Sequence, residues 1–121
     1  MTAFSEANDL PVLKIWDGVH ARAVAGDQAT FAHIELDSNA VVPEHQHVNE
    51  QTGILLRGSL TFTIGGESKD LRPGAMWVIP ANVPHSVTVG PEGASLAELF
   101  SPPRADWGGL ERLPAAPVTL F

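Results

Sequence analysis

Apolar residues recur along this chain in short alternating runs cut by glycine and proline, a pattern of strands rather than helices. Thr30–Leu36 (TFAHIEL), Gly53–Leu56, Ser59–Ile64 (SLTFTI), Met76–Ile79, Ser86–Val89 and Ala94–Phe100 read as strands. In SLTFTI the alternation puts Leu60, Phe62 and Ile64 on one face and Ser59, Thr61 and Thr63 on the other. Ile64-Gly65-Gly66-Glu67 predicts a hairpin, because paired glycines accept the positive φ of tight turns. Further turns are expected at Arg57-Gly58, Arg72-Pro73-Gly74 and Val89–Gly93. Trp16–Ala25 is the nearest approach to a helix, but Gly18, Val19 and Val24 favour an N-terminal strand.

Many short strands predict an all-β sandwich or barrel with little helix. The 121 residues give one domain: an N-terminal arm or strands over 1–28, a barrel core over 29–100 and a tail over 101–121. Apolar residues in the tail, among them Trp107 and Phe121, predict packing on the domain or on a second subunit.

Fourteen acidic and seven basic residues give a formal charge of −7, and no Lys/Arg cluster occurs. Nucleic acid and anionic membranes are poor partners for such a chain. No apolar run reaches the length of a membrane span. Met1–Glu6 has neither the basic region nor the apolar core of a secretory leader, which predicts a cytoplasmic protein. Cysteine is absent, so any metal must be held by nitrogen and oxygen.

The candidate chemistry lies in Pro43-Glu44-His45-Gln46-His47-Val48-Asn49-Glu50-Gln51. On a strand, His45 and His47 share a face and can share an ion. Pro80-Ala81-Asn82-Val83-Pro84-His85 brings a third histidine after a loop stiffened by two prolines. A fourth ligand comes from Glu50 or Gln51: charge favours Glu50, whereas parity with the histidines favours Gln51.

From about Ala40 to Arg104 the chain resembles a small single-domain cupin of the RmlC-like superfamily. His45-x-His47, three residues, Gln51, six residues and Gly58 follow the first cupin motif, with Gln51 at the usual Glu position. Gly74, Pro80, Asn82, His85 and Val89 follow the second, with Asn82 for a Gly and Val89 for an Asn. Asn39 likewise stands where the first motif begins with Gly. The resemblance implies a double-stranded β-helix, or jelly roll. It also implies one divalent transition metal (Zn, Ni, Mn, Fe or Co) on His45, His47, Gln51 and His85.

His45-x-His47-x-x-Glu50-Gln51, the Gly65-Gly66 hairpin, Val83-Pro84-His85 and Phe100-Ser101-Pro102-x-Arg104 are together similar to the pectin-degradation cupins, which open unsaturated uronates. That likeness implies Glu98 as the acid, where the family has Asp, with Phe100 and Arg104 at the substrate and Arg104 a catalytic residue beside Glu98. Glu98 and Phe100 share parity, and Arg104 has the fork to hold a carboxylate. It equally has Asp106 close by as a partner.

Trp77 and Met76 are expected to divide between core and cavity. His33 alternates with Phe31 and Glu35 and is expected to line the interior, where it would touch substrate, or to be a hydrogen-bonded structural residue. Arg57, beside a glycine, is expected to be exposed. The leading function is metal-assisted proton transfer, by ring opening or isomerisation, on a small anionic sugar or keto acid. An iron dioxygenase and a non-catalytic binding protein are the alternatives. A homodimer is expected through Val12–Trp16 and the tail, because an open sheet edge invites pairing.

Overall fold

The computed structural model describes residues 2–121. Nine strands form among the described residues: β1 Val12–Trp16, β2 Val19–Ala25, β3 Thr30–Leu36, β4 Val41–His45, β5 Glu50–Ile64, β6 Glu67–Leu71, β7 Met76–Ile79, β8 His85–Ser101 and β9 Arg112–Leu113. The only helical pieces among the described residues are single 3-10 turns at Ala7–Asp9 and Ala105–Gly109. Among the described residues no helix is long and apolar enough to cross a membrane. Trp16–Ala25 is not helical: Gly18, at φ 74°, turns β1 into β2.

The strands run in the order β6-β5-β8-β3-β2-β1-β9, with β4 also on β8 and β7 also on β5. Two long strands organise this jelly roll. Residues 85–89 of β8 lie between β4 and β5, whereas residues 94–100 lie between β3 and β5. Each long strand thus serves first one wall of the barrel and then the other.

The two expected turns at Arg57-Gly58 and Val89–Gly93 are instead corners within β5 and β8, which run on through them and pair with each other on either side. The β5–β8 register shifts between Leu55 and Arg57 and again between Gly58 and Leu60. These are bulges, and a bulge bends a strand without ending it. Glycine is needed here, because a Cβ on Gly58 would lie 1.9 Å from the Gly93 carbonyl oxygen. The corners also switch parity. Gln51, Gly53 and Leu55 face inward before the bend, and Leu60 and Phe62 after it; on β8, His85, Val87 and Val89 give way to Ala94, Leu96, Glu98 and Phe100. Arg57 is half-buried at this corner rather than exposed at a turn tip.

Asn39 and Asn82 both adopt positive φ, 61° and 63°. Asparagine is the residue that best replaces glycine there.

The tail lies on its own domain. Residues 114–121 run across the outer face of β2, β3 and β8 and are bound through their main chain. Arg22 Nη2 donates to the Ala116 carbonyl at 2.8 Å, and Ser95 Oγ donates to that of Leu120 at 3.0 Å. The same face carries the Arg22–Glu35 ion pair, 2.7 Å. β1 offers no free edge for a second subunit at Leu13, which pairs with Ala21 of β2 on one side and with Arg112 of β9 on the other.

Candidate metal centre and cavity

Three histidines meet at one mouth of the barrel. His45 ends β4 directly opposite His85, the first residue of β8, with ring centroids 4.3 Å apart. His47 lies beyond the end of β4, in a loop, so strand parity is not what aligns it with His45. The proline-bracketed loop does this work: the Asn82 N–H donates to the His47 carbonyl at 2.8 Å. One candidate ligand atom from each of the three histidines lies within 4.8 Å of the others, and the trio could hold a metal ion.

Each ring has its Nδ1 against a main-chain carbonyl: Pro43 for His45 at 2.8 Å, Asn49 for His47 at 3.0 Å and Val83 for His85 at 2.8 Å. A carbonyl can only accept, so Nδ1 carries the proton and Nε2 presents a lone pair, the tautomer of a metal-ligating histidine. His85 Nε2 is buried without a hydrogen-bond partner among the described residues. Burial is the main reason that the pKa of His47 falls and that of His85 drops to about 4. Both rings therefore stay neutral at neutral pH.

Gln51 rather than Glu50 turns toward the histidines. Glu50 is exposed, whereas Gln51 is buried in the row that pairs Phe100 with Gln51 and Gln51 with Ile79. Its amide nitrogen donates to Glu98 Oε2, which aims its Oε1 at His47 Nε2, 3.0 Å away. Two lone pairs then face each other with no proton between them. A cation relieves that repulsion, and about 3 Å is the spacing of neighbouring donors that share one ion at about 2.1 Å. The donor set fits a divalent ion.

Glu98 is buried and lines the cavity, where Oε2 accepts from Gln51 and from Trp77 Nε1 at 2.8 Å. Burial raises its pKa from the ordinary 4.5 to about 7, and the two hydrogen bonds and Arg104 only partly offset this. Trp77 serves as core and as donor: it packs on Phe62, with centroids 5.1 Å apart, and is not on the cavity wall. Met76, expected to face core or cavity, is 75% exposed on the outer surface.

Arg104 lines the cavity and is held on every side. Its N–H donates to Thr30 Oγ1 at 3.0 Å, and its guanidinium lies 4.9 Å from the Phe100 ring and 4.8 Å from that of Trp107. Asp106 forks it at 3.0 and 2.8 Å.

His33 does not line the interior. It sits opposite Ala97, on the face away from Glu98, and is buried by the tail. Its Nε2 lies 2.6 Å from Ser95 Oγ, which bonds the tail. The apolar set Ala32, Ile34 and Leu36 claims the inner face of β3 and sends His33 outward.

Three contributors were not among the expected site residues. Gly53 lets the Trp77 ring cross the strand, since a Cβ there would meet the indole at 2.7 Å. Asn49 bonds the Pro102 and Pro103 carbonyls at 2.5 and 3.2 Å, tying the His47 loop to the Arg104 segment. Trp16 stacks 5.4 Å from His45 and forms part of the cavity wall. Asn49 had a signal, as a polar residue between two motif positions; Gly53 and Trp16 had none.

A bent antiparallel barrel with a histidine trio at its mouth defines the class. The cupin domain family matches residues 32–100, over half of the chain, and the chain belongs to that family. It is 26% identical over 102 residues to the pectin degradation protein KdgF of Dickeya dadantii, covering 83% of this chain and 93% of that protein. KdgF from Halomonas sp. has the same fold, with a TM-score of 0.79 at 23% identity, covering 88% of this chain and 98% of that one. An RmlC-like cupin from Shewanella frigidimarina superimposes with a TM-score of 0.81 at 24% identity, covering 88% and 96%.

Proposed function

We propose that this cupin is a metal-dependent enzyme that moves a proton within a small carboxylated sugar or keto acid, opening or isomerising it. The observation that carries this reading is the buried Glu98 carboxyl inside the cavity, two residues from Phe100 on β8 and bonded to the amide of Gln51. His45, His47, Gln51 and His85 would hold the ion. When bound, a divalent ion polarises a carbonyl or hydroxyl oxygen.

The chain's own groups do the rest. Gln51 adds no charge, so the four ligands together are neutral. Trp77 and Gln51 fix Glu98 Oε2, and Oε1, without a hydrogen bond among the described residues, gives or takes the proton. A carboxyl with a pKa of about 7 exists in both forms at neutral pH, the condition under which one group serves as acid and then as base. Phe100 forms apolar wall, and Arg104 holds the substrate carboxylate. The likeness to KdgF supports unsaturated uronates as the first substrates to try.

The test is to purify the protein, identify its metal and supply unsaturated uronates and keto acids with and without oxygen. Anaerobic turnover is expected, with Glu98→Gln lowering it at least 100-fold while metal content is unchanged. Oxygen uptake coupled to turnover, or saturable binding without turnover, would refute the reading.

We also propose a homodimer, through a face other than the expected one. Val24, Phe31, Leu99, Thr52 and Val78 are successive cross-strand partners on the outer surface, and all but Thr52 are exposed apolar side chains. With Met76 they present on the order of 500 Å² per copy without a charge, so two copies would bury close to the total a stable interface needs. Sedimentation of Phe31→Glu as a monomer, against a dimeric parent, is the expected result.

A further inference from the structure

We propose that Asp106 is a displaceable internal carboxylate, occupying the anion position on Arg104 and admitting only ligands that bring a carboxylate of their own. The inference rests on reading the cavity as the site of a small anionic substrate.

The two partners of this ion pair are held very unequally. Arg104 has a 10% exposed side chain, a main-chain bond to Thr30 and an aromatic ring on either side. It stays in place whether or not Asp106 is present. Asp106 is 63% exposed on its side chain, and that side chain bonds nothing but Arg104 among the described residues. It rides on the 3-10 turn Ala105–Gly109, which ends in Gly108 and Gly109. Releasing it breaks one ion pair that is exposed at its Asp106 end, and water can take over the freed carboxylate.

Both residues line the cavity that also contains His45, Gln51, His85 and Glu98. A carboxylate that takes the fork of Asp106 is therefore anchored in the chamber that holds the histidines and the buried acid. The fork is bidentate and planar, which suits a carboxylate and offers a neutral hydroxyl no equal exchange. Asp106 thus acts as a competitor built into the chain. A neutral sugar does not displace it, and an anion must outbid it with further contacts deeper in the cavity. The ligand class selected is a small hydroxy- or oxo-carboxylate.

Because a self-occupied site lowers apparent affinity by the fraction of time it is closed, removing the competitor must tighten anion binding. The probes are D-galacturonate and neutral D-galactose, titrated into the metal-loaded protein by calorimetry and by tryptophan fluorescence, Trp107 lying beside Arg104. Asp106→Asn and Asp106→Ala are expected to bind galacturonate about two- to fivefold more tightly than the parent, a solvent-reached ion pair being worth that order of factor. Galactose binding is expected to stay unchanged. Equal or weaker galacturonate binding by both variants would overturn the inference and leave the proposed function standing, since Asp106 would then only steady Arg104. Absence of galacturonate binding in parent and variants, or galactose bound equally well, would overturn the anionic-substrate reading and this inference with it.

Discussion

The indole of Trp77 crosses the bare backbone of Gly53 and donates to Glu98 Oε2 at 2.8 Å. Trp77, Gly53 and Glu98 are cross-strand partners on β7, β5 and β8. The missing side chain in the middle row is what lets the outer two residues touch. An acid inside an apolar chamber is thereby steadied from a strand it does not adjoin.

Gly53→Ala should break this contact. The added methyl would sit 2.7 Å from the indole ring, which is packed on Phe62 and has nowhere to retreat. The expected cost is about 1–3 kcal/mol of stability. Urea unfolding, with the near-ultraviolet dichroism of the tryptophans as a second probe, reads both effects. An unchanged midpoint and spectrum would show that the crossing carries no weight.

Metal content separates the ligands by rank. His45→Ala should lose most bound metal in elemental analysis, because two imidazoles cannot hold what three hold. Gln51→Ala should retain metal more weakly, since it removes one neutral oxygen and leaves the histidines in place. At about 1,000 times the dissociation constant an ion adds about 4 kcal/mol, so a chelator should lower the melting temperature of the parent and hardly that of His45→Ala. Equal metal in His45→Ala and parent would rule out the trio as the site.

His33 makes stability depend on pH. Burial is the main cause of its lowered pKa, against the opposing pull of the Leu120 carbonyl and Glu35; the charges of Arg22 and Arg57 lower it further. The neutral ring donates from Nε2 to Ser95, and its buried Nδ1 has no hydrogen-bond partner among the described residues. Unfolded, the ring binds a proton below its ordinary pKa of 6.5, whereas the folded protein resists it. Stability is therefore lost as pH falls below 6.5, until the lowered folded pKa is passed. Denaturant curves at pH 8 and pH 5.5 should diverge less for His33→Gln than for the parent. Identical pH dependence in the two proteins would refute this.

Much of this architecture can be read from the residues. Alternation in SLTFTI, the paired glycines and the two histidine motifs place β5, β6, β8 and three candidate ligands. Asn39 and Asn82 stand where the backbone needs positive φ, as their chemistry suggests. What cannot be read is where a strand bends without stopping. Arg57-Gly58 and Val89–Gly93 have turn composition, yet β5 and β8 continue as strands through them and pair again beyond. Nor does alternation say which face is inner: His33 keeps step with Phe31 and Glu35, but the core lies on the side of Ala32 and Ile34. Gln51 is preferred for the right orientation and an incomplete reason. The chain does not stay extended from His47, and the pairing of Gln51 with Phe100 and Ile79 is what turns it inward.

The corners of β5 and β8 behave like a reading frame written in space. Upstream of them odd-numbered residues look inward, and downstream even-numbered ones do, so His85 and Glu98 share one chamber only because the frame slips between them. An insertion or deletion of one residue near Gly58 or Gly93 would turn a whole half-strand inside out, whereas a change of two would preserve its sense. These two bends can vary only in even steps.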